Sequence, residues 1–149
     1  MVCLGNICRS PLAHGILEHM AQKANLTIEV DSAGTGSWHT GEPPDIRSIE
    51  IANTHGINIK KQRARQFSTD DFIYFDIIYV MDTSNHIDVI NLAKDNYHKQ
   101  KVKLILNEIA PGQNRSVPDP YFGGKDGFEN VFSMLEHACS LIIHKLNDD

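Results

Sequence analysis

Eleven residues, MVCLGNICRSP, restrict this chain more than any other stretch of it. They demand a strand end, a tight loop and a helix start in immediate succession. Gly5 and Asn6 both tolerate unusual backbone dihedrals, including positive φ, so the chain can turn sharply after Cys3. Ser10 suits a helix N-cap and Pro11 the first helical position, where its missing N–H costs nothing. Leu12, Ile16, Leu17, Met20 and Ala24 then recur with helical spacing. A strand feeding a helix through a short loop is half of a βαβ unit, which places the chain in the α/β class.

The remaining pattern agrees. LTIEVDSAG reads as a strand running into a glycine loop. Asp45 to His55 reads as a helix with Ile46, Ile49 and Ala52 inward and Gly56 as its stop. DIIYVM is a short apolar run fit for a buried strand, and VKLIL is another. Between them, 84–95 reads as a helix with Ile87, Ile90 and Leu92 as core candidates. A long loop from Asn107 to Lys125 holds Pro111, Pro118 and Pro120. Gly127 to Leu146 closes the chain as an amphipathic helix, with Phe128, Val131, Phe132, Leu135, Ala138 and Ile142 on one side and Cys139 in the same apolar register. Asp31 and Asp82 stand at strand ends, where a carboxylate can brace a neighbouring loop. The expected fold is therefore a mainly parallel sheet in one domain, 1–149. Only Met1 and Val2 precede the opening loop. The first strand is expected to be a truncated stub that leaves backbone groups unpaired in the core.

Composition removes several function classes. A net charge of −5 argues against a broad nucleic-acid-binding surface. No apolar run approaches the roughly 18 residues of a membrane span, so no membrane insertion is expected. The opening is too short and polar for a secretory signal. Three cysteines are too few and too odd for a disulfide framework, which points to a reducing, cytoplasmic setting. No metal is expected either. Cys3 and Cys8 are five apart with no further ligand nearby, and the eight histidines, His14 and His39 among them, show no ligand spacing.

What the opening loop can do is bind an anion. Backbone N–H groups turned inward by a Gly-Asn bend make an anion nest, and the following helix N-terminus adds positive potential. Arg9 can reach back and hold two oxygens in a planar grip. Cys3 lies at the base of the nest, beside those N–H groups, Arg9 and the Ser10 hydroxyl. Such surroundings stabilise a thiolate and lower its pKa from the usual value of about 8.5. A thiolate beneath a bound phosphoryl group is a nucleophile in line for attack. A leaving phenolate then needs a proton. The segment SVPDPYFGG carries Asp119 between two stiffening prolines, although Asp-Pro is also an ordinary turn signal.

The stretch VCLGNICRSP closely resembles the signature loop of the low-molecular-weight protein tyrosine phosphatases. VDSAGTGSWHTGEPPD, RARQF, YVMDTSN and VPDPYFGGKDGFENVF resemble that family's later blocks in the same order, so the resemblance covers nearly the whole chain. It implies a four-stranded parallel sheet with helices on both faces and a metal-free, cofactor-free phosphatase. It further implies Cys3 as nucleophile, Arg9 as phosphate clamp and Asp119 as general acid, turning base when water cleaves the phosphocysteine. Leu4, Gly5, Asn6, Ile7, Cys8 and Ser10 would form the substrate loop. Trp38, Tyr121 and Phe122 match family positions around the pocket mouth. Related phosphoarginine phosphatases tend to carry threonine at the position of Ile7, so Ile7 favours phosphotyrosine.

Phosphotyrosine proteins are the implied substrates, with a cognate tyrosine kinase as a family-level partner. Cys3 and Cys8 flank one small loop and could pair when Cys3 is oxidised, as the resemblance also implies. Two other readings share the loop. A thioredoxin-coupled arsenate reductase would need a further cysteine pair in the chain's middle, and none lies between Cys8 and Cys139. An oxyanion-binding regulatory protein would keep the nest without turnover.

Overall fold

The computed structural model describes residues 1–121 and 123–148. Among them, four parallel strands form one sheet: β1 (Val2–Cys3), β2 (Ala33–Gly34), β3 (Ile78–Val80) and β4 (Val102–Leu104), in the order β2-β1-β3-β4. The helices are α1 (Arg9–Lys23), α2 (Ile46–Thr54), α3 (Asp71–Tyr74), α4 (Thr83–Leu92), α5 (Asn96–Lys99) and α6 (Lys125–Asn147).

Strand residues alternate between two cores, as the period of two requires. Cys3, Tyr79 and Met81 pack with Leu12 and Ile16 of α1 and with Val131, Phe132 and Leu135 of α6. Val2, Ile78 and Val80 pack on the other side with Phe72 of α3 and Val89 of α4. Helices thus cover both faces, as expected. The stub strand does not leave its backbone orphaned. Val2 pairs with both Ala33 and Val80, and Cys3 pairs with Gly34. The Val2 carbonyl accepts from Met81 N–H and the Cys3 carbonyl from Thr35 N–H.

Several boundaries differ from the sequence reading. The helix after the loop begins at Arg9, with Cys8 rather than Ser10 in the N-cap position. The Ser10 hydroxyl is drawn inward instead, to the Cys3 sulfur, and Pro11 fits within the first turn. Leu26 to Ser32 is not a hydrogen-bonded strand, because β1 beside it offers only two residues of partner. VKLIL leaves the sheet at Leu104 and tightens into a 3₁₀ turn at Ile105–Glu108.

Helix α4 ends at Leu92 and buries Val89. Ile87 is 59% exposed, Leu92 is 45% exposed and Ile90 is half-buried, so the inward stripe is Asn85–Val89. Helix α2 keeps nearly the expected span, with the Asp45 carboxylate accepting from Arg47 N–H as its N-cap, and it buries Ile49 and Ala52. Ile46, expected inward, is instead 64% exposed, because the inward stripe of the first turn starts at Ser48, whose hydroxyl bonds the Cys8 carbonyl. Helix α6 buries the apolar face its spacing implies. Cys139 is fully buried there, and burial pushes its thiol up to about 12.

Candidate active site

The C-terminal end of β1 runs straight into the loop Leu4–Cys8 and then α1. This loop can sit close to β2 because residue 34 is glycine. A Cβ there would fall 2.8 Å from the Leu4 carbonyl and 3.1 Å from the Asn6 nitrogen. The bend itself comes from Asn6, at φ 55°, whereas Gly5 stays outside the left-handed region, so only one of the two permissive residues is used for its dihedral. That conformation aims the Asn6 N–H at the Cys3 sulfur, 3.3 Å away. Its side-chain amide donates to the Ser10 hydroxyl at 2.8 Å, and its Oδ1 accepts from Arg65 N–H at 3.1 Å. Ser10 Oγ lies 3.0 Å from the Cys3 sulfur. A backbone N–H and a hydroxyl thus converge on the Cys3 sulfur.

Arg9 is only 3% exposed and is fixed from two distant segments. Its Nη1 donates to Asp82 Oδ2 at 2.7 Å and to the Val117 carbonyl at 3.0 Å, while Nη2 stands 3.9 Å from Asp119 Oδ2. Asp82 therefore braces the loop, as its strand-end position suggested, and its other oxygen caps α4 by accepting from Asn85 N–H. Asp119 is partly exposed and accepts from the Tyr121 N–H at 3.0 Å. Cys8 is buried. Burial, and next the nearby Asp45 carboxylate, push its thiol up to about 12, so it stays protonated beside the loop.

These groups line a single cavity of about 210 Å³, whose walls include Cys3, Leu4, Ile7, Arg9, Trp38 and Asp119. Gly5, Cys8 and Tyr121 also border it. Asn6 and Ser10 lie behind the sulfur and hold the loop rather than the cavity wall. Phe122 falls outside the described residues. A larger cleft of about 510 Å³ lies toward the N-terminal ends of β1 and β3 and contains no cysteine, so chemistry rather than size marks the site. Among the described residues, no three His, Cys, Asp or Glu side chains are gathered to hold a metal ion. No helix among them is long and apolar enough to cross a membrane.

Three features escaped the sequence reading. His39 borders the cavity, with its Nδ1 bonded to Glu42. Arg47 reaches the Tyr121 backbone. Gly36 seats the Trp38 indole: a Cβ at residue 36 would lie 1.9 Å from the ring. Trp38 is 70% exposed, so the indole would swing away rather than strain the fold. Gly36→Ala is accordingly expected to change Trp38 emission and its quenching by iodide, while thermal unfolding stays within about 0.5 kcal/mol of wild type. Unchanged emission would show that the indole does not rest on Gly36. Trp38 is the only tryptophan, which makes the signal unambiguous.

The chain matches the family model described as low molecular weight phosphotyrosine protein phosphatase over residues 1–149. It is 44% identical over 137 residues to the low molecular weight phosphotyrosine protein phosphatase of Schizosaccharomyces pombe, covering 90% of this chain and 86% of the relative. Among solved structures it is similar to a protein tyrosine phosphatase from Entamoeba histolytica, with TM-score 0.91 and 36% identity, covering 99% of this chain and 94% of the other. A Drosophila arginine phosphatase is also similar, with TM-score 0.89 and 33% identity, over 97% of this chain and 94% of the other. The match to the family model from end to end, with the relatives' identity and coverage, places the chain in the low molecular weight phosphotyrosine protein phosphatase family.

Proposed function

We propose that this protein hydrolyses phosphotyrosine in proteins by two phosphoryl transfers. In the first, the Cys3 thiolate attacks phosphorus and an S–P bond forms. The P–O bond to the aryl group breaks, its electron pair leaves on the phenolic oxygen, and the Asp119 proton goes to that oxygen. In the second, Asp119, now a carboxylate, takes a proton from water. The water oxygen bonds to phosphorus, the S–P bond breaks with its electrons returning to Cys3, and inorganic phosphate departs. Arg9 spends Nη1 on Asp82 and Val117, which leaves its Nε–Nη2 edge for two phosphoryl oxygens. Leu4, Ile7, Trp38 and Tyr121 supply apolar and aromatic surface for a phenyl ring. The carrying observation is that Asp119, distant in sequence, borders one small cavity with Cys3 and Arg9 of the opening loop.

The test is a leaving-group series. Asp119→Asn is expected to lower kcat/KM for phenyl phosphate by about 10²–10⁴-fold and for 2,4-dinitrophenyl phosphate far less, because a good leaving group needs little protonation. Equal losses across the series would remove Asp119 as the acid. Phosphoarginine, the substrate class named for the Drosophila relative, is the control substrate. Ile7 favours phosphotyrosine, and faster turnover of phosphoarginine would reverse that order.

The same reading extends to phosphoproteins made by a cognate tyrosine kinase and to a cytoplasmic setting, which the free thiols of Cys3, Cys8 and Cys139 suit. It also gives Cys8 a redox role. Peroxide converts the Cys3 thiolate to a sulfenic acid with release of hydroxide. Condensation with the Cys8 thiol then forms a disulfide and releases water. After peroxide and then dithiothreitol, wild type is expected to recover activity and Cys8→Ser to recover much less. Equal recovery would reduce Cys8 to a packing residue.

A further inference from the structure

The first turn of α2 touches both halves of the active site, and Arg47 makes the decisive contact. On the anion-loop side, Asp45 N–H donates to the Ile7 carbonyl at 2.8 Å and Ser48 Oγ to the Cys8 carbonyl at 3.3 Å. On the acid side, Arg47 Nη1 donates to the Tyr121 carbonyl at 3.0 Å. The Tyr121 N–H in turn donates to Asp119 Oδ1 at 3.0 Å. One residue therefore links Arg47 to the carboxylate.

An isolated surface ion pair would carry little weight. This guanidinium is held differently. Its Nε and Nη2 bond the two Asp45 oxygens at 3.0 and 3.1 Å, and its plane lies over the rings of Phe128, 4.7 Å away, and Tyr121, 5.2 Å away. Burial acts to raise the Asp45 carboxyl, but the Arg47 hydrogen bonds outweigh it and hold the group below the ordinary carboxylate range. Every planar edge of Arg47 is thus occupied, and the side chain has one orientation to offer Tyr121.

We infer that Arg47 is a positioning residue that sets the acid-bearing loop in register with the nucleophile loop through the first turn of α2. It touches neither substrate nor the reacting atoms. Its effect is transmitted through the Tyr121 backbone to Asp119. The inference rests on Asp119 being the general acid of the proposed function.

The experiment uses kcat/KM for phenyl phosphate and 2,4-dinitrophenyl phosphate, with thermal melting as the folding control. Arg47→Met is expected to lower the phenyl phosphate value by about 10–10²-fold, the upper figure being that of a misplacement near 1 Å, and to leave the dinitrophenyl value within about twofold. Arg47→Lys should fall between, since a point charge reaches the carbonyl but not both Asp45 oxygens. In an Asp119→Asn background, Arg47→Met should cause no further loss. Should Arg47→Met fail to fold, Asp45→Asn loosens the same grip and is expected to shift the ratio in the same direction. Equal losses on both substrates, or an undiminished loss in the Asp119→Asn background, would overturn the inference. A steep leaving-group response in Asp119→Asn beside a flat one in Arg47→Met would overturn it alone. A flat response in Asp119→Asn would overturn the acid assignment and this inference together.

Discussion

Cys3→Ser is expected to abolish hydrolysis of p-nitrophenyl phosphate, a loss on the order of 10⁴-fold or more, because a serine hydroxyl here has no base beside it to make it a comparable nucleophile. The variant should still bind inorganic phosphate. The Arg9 fork remains, held by Asp82 and Val117, and the Asn6 side chain still fixes the loop through Ser10 and Arg65. Serine is smaller than cysteine and carries no charge beneath the anion, so affinity should hold. Titration calorimetry with phosphate measures one half of this expectation and steady-state turnover the other. Residual hydrolysis within tenfold of wild type would show that Cys3 is not the nucleophile.

Arg9→Lys is expected to be nearly as severe, at about 10³-fold in kcat/KM, the scale of losing preorganised donors to a developing oxyanion charge. Charge is conserved in this change, and geometry is not. The guanidinium meets Asp82 and the Val117 carbonyl through Nη1 and still has a second edge for phosphate. An ammonium drawn to Asp82 has no such edge. It would also sit in a site only 3% exposed, where an imperfectly paired charge is costly. Thermal melting should therefore fall together with activity. Wild-type kinetics in this variant would assign Arg9 a purely structural role.

The parts of the site legible in the sequence are those that chemistry packs into contiguous residues. Cys3, Asn6, Arg9 and Ser10 could be read together because a nest, a sulfur and a helix start must follow one another. Asp119 was legible through its resemblance to the family's proline-flanked acid. His39, Arg47 and Gly36 were not, because each acts through a contact made only in three dimensions. Val117 acts through a backbone carbonyl, which leaves no trace in residue type.

Fold class was legible from the alternation of apolar runs and helical stripes. Strand lengths were not, since each strand extends only as far as its neighbour can pair with it. The stripe on α4 was misread at Ile87 and Leu92 because spacing alone cannot say which side of an outer helix meets the sheet. A polar Asn85 at the buried position defeats a pattern built on apolarity.

The Arg9–Val117 hydrogen bond joins residues 108 positions apart, and Arg9–Asp82 joins residues 73 apart. Contacts of that span close late, after the loop-closure entropy of most of the chain has been overcome. Arg9 precedes both partners in the chain and is made before either of them. During synthesis, Cys3 and Arg9 therefore emerge without the partners that orient the clamp. The orientation of the Arg9 guanidinium is thus a property of the finished topology rather than of the loop that carries it.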